Sequence, residues 1–239
     1  MEHENSVSFL VSGKMALFSD PVTRVGGEKC SYQVPTYQAL KGMLESIYWK
    51  PTLIWHIDAV RVMNPISSRS EGIRPIGYSG GNTLSIYTYL TDVAYQVKAH
   101  FEWNENRPDL TCDRSENKHY FIAKRMIERG GRRDVFLGTR ECQAYVEPCA
   151  FGAEEGHFDS LAELSFGLMF HGFDYPDESG ENELRARFWY PKMKNGVIGF
   201  CRPEECPVTR VIKKQSPKVF REGKNFTRCD SLAEEAGFQ

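Results

Sequence analysis

The chain has 239 residues, 41% of them hydrophobic and 26% charged, with a formal net charge of −2. That length supports one large core or two small ones, and that balance is typical of a soluble globular protein. It excludes a chain coated with phosphate-binding charge and leaves room for a local basic surface.

The opening MEHENSVSFL has no basic region followed by a long apolar core, so no signal peptide is expected. The run LSFGLMF is far too short to cross a membrane, and a soluble cytoplasmic protein is the expectation. SVSFLVSGKMALF is a strand candidate, and SDPVTRVGGEKCSYQ, punctuated by Pro21, Gly26 and Gly27, is a loop. PTYQALKGMLESIYW predicts a helix. Pro35 suits its first turn, Leu40, Met43, Leu44 and Ile47 recur at helical spacing, and Pro51 closes it. LIWHIDAVRVMN has the β-branched, partly alternating pattern of a strand. ISSRSEGIRPIGYSGGN reads as a loop and NTLSIYTYLTDVAYQVKAHFEW as a long strand. A polar connector, NENRPDLTCDRSEN, leads into a second helix, KHYFIAKRMIERGG, with Asn117 as its N-cap and Gly130 at its C-terminal end. VFLGTRECQAYVEP is read as one strand.

Strand, helix, strand, strand, helix, strand is the order of the ferredoxin-like, RRM-like split βαβ unit. The fold class expected is therefore α+β. Residues 1–150 would form an antiparallel sheet with both helices on one face and the other face free. Beyond residue 150 the pattern becomes short β segments with turns, such as AELSFGLMFHGFDYP and NELRARFWYP, and KNG at 194–196 is a hairpin signal. A small β-rich subdomain is expected over 151–220, followed by a polar tail over 221–239. The seven cysteines are irregularly spaced and read as reduced thiols. Cys201 and Cys206 in CRPEEC have a spacing zinc permits, but no second pair or histidine cluster lies nearby in the sequence, so no metal is assigned.

With Asn117 as N-cap, Lys118 and His119 occupy the first turn of the second helix, where unpaired N–H groups and the helix dipole favour an anion. Lys118 would add a point charge. The same field disfavours imidazolium, which leaves His119 neutral and able to take a proton. A ribose 2′-hydroxyl attacking its own phosphate would use such a pair. On a helical wheel, however, His119 falls in the apolar arc with Tyr120, Ile122, Ala123, Met126 and Ile127. From these two residues alone an ordinary half-buried histidine beside a solvated lysine is the favoured reading. Tyr48, at the end of the first helix, is by default a core or rim aromatic. It can meet His119 if the two helices run roughly antiparallel.

Arg69 and Arg74 lie in the glycine-rich loop, and Lys124, Arg125, Arg129, Arg132 and Arg133 lie along and after the second helix. Lys213, Lys214 and Lys218 lie near the end. With Tyr78, Tyr87, Tyr89 and Tyr95 they form a pattern that holds single-stranded RNA; for any one of them a solvated surface is the simpler reading. There is no GxSxG, Walker A or HExxH motif. The paired acids Glu154 and Glu155, and Glu204 and Glu205, sit in turn contexts.

SDPVTRVGGEKCSYQVPTYQALKGMLESIYWKP, DAVRVMNPI, SENKHYFIAKRM and FLGTREC together resemble the pre-crRNA-processing subunit of type I-C CRISPR systems, a member of the CRISPR-associated RAMP proteins. The similarity covers most of the chain and is densest from about residue 18 to 150. The resemblance implies metal-independent cleavage of the CRISPR repeat RNA at the base of its hairpin, with no cofactor. It implies that the protein then holds the crRNA 5′ handle alongside other subunits of the interference complex, with no membrane partner. It also implies that duplex DNA can bind. The family's catalytic tyrosine after the first helix and Lys-His pair before the second fall on Tyr48, Lys118 and His119. RNA contacts are placed on Arg24, Arg69, Arg74, Arg125, Arg132 and Arg133. The glycine-rich loop of many RAMP proteins is not clearly visible.

The expected reaction leaves a 2′,3′-cyclic phosphate and a 5′-hydroxyl. His119 is the preferred proton acceptor, because a tyrosine of ordinary pKa is a poor base at neutral pH. Its imidazole is expected at the edge of the helix, facing a cleft toward Tyr48. The rival expectations are a scaffold that binds the 5′ handle without cutting, and metal-dependent DNA cleavage, for which no carboxylate cluster is evident.

Overall fold

The computed structural model describes residues 4–219 apart from 22, 77 and 82. The side chain of Arg24 and the tail expected over 221–239 lie outside the described residues. β1 (Val7–Ala16) buries Val7, Phe9 and Val11 on alternate positions, as a half-buried strand must. α1 (Tyr37–Ile47) starts two residues later than expected: Thr36 is the N-cap, and its hydroxyl accepts the Ala39 N–H at 3.1 Å. Pro35 therefore precedes the cap. One face of α1 carries Tyr37, Leu40, Met43, Leu44 and Ile47 into the core.

β2 (Leu53–Val62) and the long β4 (Ser85–Trp103) pair antiparallel, and β4 also pairs with β1. α2 (Glu116–Glu128) follows, with Ala123 and Ile127 buried. The segment expected as a single strand after α2 is instead a hairpin, β5 (Val135–Phe136) and β6 (Gln143–Pro148). Gly138 turns it with φ of +94°, and a Cβ there would collide with the Leu17 carbonyl. The order β6-β1-β4-β2 is fourth, first, third, second, all antiparallel, which is the ferredoxin-like arrangement. The stretch expected as a loop at ISSRSEGI forms β3 (Ser68–Ile73), paired with the first half of β4 from Ser68 opposite Leu90 to Ile73 opposite Ser85. Its side chains are largely exposed, so the ladder is held by backbone hydrogen bonds and leaves no apolar alternation to read.

β7 (Leu164–Ser165), β10 (Lys192–Lys194) and β11 (Val197–Gly199) extend this same sheet beyond β2. The change of pattern near residue 150 is thus not a boundary between sheets. The KNG turn joins β10 to β11, with Asn195 and Gly196 at φ of 47° and 77°, as a tight hairpin requires. β8 (Met169–Asp174), β9 (Glu183–Trp189) and β12 (Val208–Lys214) make a second, three-stranded sheet, with a short α3 (Pro176–Ser179) between β8 and β9. This sheet packs on α1: Gln38 Oε1 accepts the Phe173 N–H at 3.1 Å, and the Tyr37 and His171 rings stack at 4.3 Å. Among the described residues no helix is long and apolar enough to cross a membrane.

The sheet face away from the helices was expected to be free, but C-terminal segments cover part of it. Arg61 alternates with the core residues Val60 and Val62, and its guanidinium donates to the Ala153 and Glu154 carbonyls and to Asp159 Oδ2 at 2.9, 2.8 and 2.6 Å. Arg202 reaches Glu102 on β4 at 2.7 Å.

Candidate active site

The chain leaves α1 at Tyr48, whose amide still donates to the Leu44 carbonyl at 2.8 Å while its backbone turns extended. The Tyr48 carbonyl accepts the Trp55 indole N–H at 2.8 Å. Trp55 is itself wedged edge-on against Phe101 in the core. The end of α1 is thereby fixed to β2, and the Tyr48 side chain crosses to α2.

There its hydroxyl meets Nδ1 of His119 at 2.7 Å. The other ring nitrogen, Nε2, lies 2.8 Å from the carbonyl oxygen of Asp113. A carbonyl can only accept, so Nε2 carries the proton. In the neutral ring Nδ1 is then the acceptor and Tyr48 the donor. This backbone contact selects the tautomer that can receive a proton from the tyrosine.

The helix begins earlier than expected. Ser115 is the N-cap, with no side-chain capping bond, so Lys118 and His119 fall in the third and fourth helical positions. The His119 amide is already paired with the Ser115 carbonyl at 3.1 Å, and Glu116 occupies the positive first turn. His119 is 0% exposed, with Trp103 and Phe101 edge-on to its ring, and Tyr48 is 3% exposed. His119 therefore does not face an open cleft; the wheel's placement of it among Ala123 and Ile127 is what the structure has. It is buried together with Tyr48, and Lys118 is the exposed member of the set.

The sequence reading missed Asp113. This residue ends a 3-10 turn (Pro108–Asp113) in the polar connector, which folds back beside the start of α2. Its carboxylate accepts from Lys118 Nζ at 2.5 Å and from the Thr52 hydroxyl at 2.8 Å, and lies 3.5 Å from His119 Nε2. Burial pushes the Asp113 carboxyl up, but the bonds from Lys118 and Thr52 and the nearby positive charge outweigh it and hold it below the usual carboxylate range. Burial, reinforced by the Asp113 charge and opposed by Arg132, pushes the Tyr48 phenol up to about 12. Tyr48 is thus a neutral O–H donor at physiological pH. The only hint in the sequence was an acid five residues before Lys118, and the fold-back of the connector has no periodic signature.

The arginines are dispersed. Arg132 donates its amide to the Ile47 carbonyl at 3.3 Å, which holds it at the end of α1 where its charge reaches Tyr48. Arg133 and Arg125 are exposed after and on α2. Arg69 and Arg74 are exposed on and just past β3, remote in the chain from α2, and Arg69 pairs with Glu71 at 3.4 Å. Of the tyrosines read as stacking platforms, Tyr89 and Tyr95 are core residues at 2% exposure. Tyr87 is half-buried under Lys29, and Tyr78 is exposed.

A family model, Cas_Cas5d, described as "CRISPR-associated protein (Cas_Cas5)", matches residues 6–201. Two relatives are each described as "CRISPR pre-crRNA endoribonuclease Cas5d". The one from Mannheimia succiniciproducens is 27% identical over 234 residues, covering 81% of this chain and 94% of its own. The one from Thermus thermophilus is 29% identical over 185 residues, covering 73% and 76%. A solved structure described as a CRISPR-associated protein superposes with a TM-score of 0.71 at 38% identity, covering 86% of this chain and 96% of its own.

Proposed function

The chain belongs to the Cas5d family of CRISPR-associated proteins, and from that premise we propose that it is the endoribonuclease that cuts CRISPR repeat RNA in type I-C systems, working through Tyr48, Lys118 and His119. The observation that carries the proposal is the 2.7 Å contact between Tyr48 and the unprotonated Nδ1 of His119, set beside the exposed cation of Lys118.

The closed geometry favours a relay over direct attack by His119 on the substrate proton. Tyr48, at 3% exposure against 0% for His119, is the nearer of the two to the surface. It would accept the proton of the 2′-hydroxyl as it passes its own proton to Nδ1. Tyrosinate never has to exist, so the raised phenol pKa is no obstacle. Lys118, released in part from Asp113 by the incoming phosphate, would stabilise the charge that builds on the phosphorane oxygens. Asp113 holds both partners in place, through its carbonyl on His119 and its carboxylate on Lys118. The bond to the 5′-oxygen then breaks, a water gives that oxygen its proton while the proton held on Nδ1 returns to solvent through Tyr48, and the products are a 2′,3′-cyclic phosphate and a 5′-hydroxyl. No metal takes part in these steps. After the cut the protein would keep the 5′ handle as a subunit of the interference complex, with exposed arginines such as Arg132 and Arg133 on the RNA backbone.

The test is incubation of end-labelled repeat hairpin with the wild type and with Tyr48→Phe, Lys118→Ala and His119→Ala, each with and without EDTA, followed by analysis of the product ends. Cleavage in EDTA that all three substitutions suppress supports the proposal. Cleavage that survives all three together overturns it. The complete burial of His119 favours one rival, a scaffold that binds the 5′ handle without cutting. The same gel separates the two, because a scaffold shifts the RNA and makes no new ends.

A further inference from the structure

Where the two sheets meet, the fold assembles a group that the sequence scattered. Cys201 lies just after β11 and Cys206 just before β12, and their sulfurs are 3.7 Å apart. His171 comes from β8, and its ring is 0% exposed, stacked under Tyr37 and edge-on to Trp189. Its Nε2 lies 3.2 Å from the Cys201 carbonyl, and a nitrogen of its ring is within 4.8 Å of both sulfurs. Arg187 of β9, 4% exposed and ion-paired to Asp174, stands by the same two sulfurs and Tyr37. Both cysteines keep partial access to solvent.

We propose that Cys201 and Cys206 form a thiol–disulfide site that reacts with small-molecule disulfides, with Cys201 as the attacking thiolate, Cys206 as the resolving thiol, and His171 and Arg187 as the groups that stabilise the negative sulfur. Three observations separate this from an ordinary pair of cysteines. The sulfurs are already in contact, His171 of β8 and Arg187 of β9 converge on them, and the Cys206 thiol lies 3.8 Å from the Arg202 carbonyl, which leaves the Cys201 sulfur free to carry the charge. The Cys206 contact, followed by His171, holds the Cys201 thiol below its usual range against burial, while the Cys201 contact and burial push Cys206 up against the opposing charge of Arg187. Zinc fits less well, because the group offers three donors where structural zinc takes four, and because Arg187 already supplies the countercharge.

In the reaction the Cys201 thiolate attacks one sulfur of the small disulfide. That S–S bond breaks, and one thiolate leaves and is protonated by solvent. Cys206 then loses its proton to solvent and attacks the Cys201 sulfur, expelling the second small thiol. The two protein thiols lose two electrons, which reduce the small disulfide to two thiols. The product staples the loop between β11 and β12, from which Arg202 reaches His100 and Glu102.

The experiment uses the full chain, oxidised glutathione as the probe, and differential alkylation with peptide mapping. Cys112, exposed and without these neighbours, is the internal reference. Cys201 is expected to alkylate at pH 6 at least ~10-fold faster than Cys112, and oxidation is expected to yield a Cys201–Cys206 cross-linked peptide. Cys206→Ser is expected to trap glutathione on Cys201 as a stable mixed disulfide. Reactivity of Cys201 no greater than that of Cys112, or glutathione addition with no internal cross-link in the wild type, overturns the proposal. So does stoichiometric zinc whose chelation is needed before either thiol reacts.

Discussion

Tyr48 donates its hydroxyl proton to Nδ1 of His119 at 2.7 Å, and both rings are shut from solvent. The contact joins the end of α1 to the start of α2. Any change to one partner is therefore felt as both a folding defect and a defect in the relay.

Tyr48→Phe removes the donor and leaves a buried nitrogen without a partner, a loss worth about 1–3 kcal/mol. The melting temperature should fall, and cleavage of repeat RNA should fall with it. Adding His119→Leu to that variant removes the orphaned acceptor. His119→Leu also takes its N–H from the Asp113 carbonyl, so the double variant should lose less stability than the two single variants sum to, measured by urea denaturation, and show no cleavage. That separation would not occur if activity merely tracked stability.

The Tyr48 phenol titrates near 12 in the folded protein against about 10 when unfolded. A raised folded pKa means that its contribution to stability is complete below pH 10 and is lost as the pH climbs toward 12. An ultraviolet difference titration of the wild type against Tyr48→Phe should show tyrosinate appearing only above pH 10. A component at or below pH 10 would contradict the buried, donor-bound phenol.

For Asp113 the sign is opposite. Its folded pKa is depressed, so its contribution is present at neutral pH, above the unfolded value of about 3.9, and is lost as the pH falls through the folded value. Lys118 is half-exposed, so the pair itself adds only about 0–1 kcal/mol. Asp113→Asn should be modestly less stable than the wild type at pH 7, and the gap in urea midpoint should close in acid below the ordinary carboxylate range. A gap that stays constant with pH would show that the carboxylate charge is not what matters.

The elements with strong periodicity were legible in the sequence. Leu40, Met43, Leu44 and Ile47 announced α1, and alternation along β4 announced the central strand. The four-strand order followed from the succession of elements. β3 was not legible, because its pairing uses backbone and its side chains face solvent. The β5–β6 hairpin was hidden because Gly138 and its neighbours looked like part of one strand. At the site, Tyr48, Lys118 and His119 were singled out only with the help of a family resemblance, since the wheel alone put His119 in the core. The wheel described its burial correctly. What local pattern did not carry was Asp113, because a 3-10 turn that folds back on a helix has no period of its own.

The role of Lys118 in metal-independent cleavage is tested most directly by the single-turnover rate of Lys118→Ala on repeat RNA in EDTA, measured beside its melting temperature. Lys118 is exposed, so its removal should leave the fold intact. A rate lower by at least ~100-fold is expected, the scale of one lost charge-stabilising group, with the melting temperature nearly unchanged. A rate equal to that of the wild type would contradict that role.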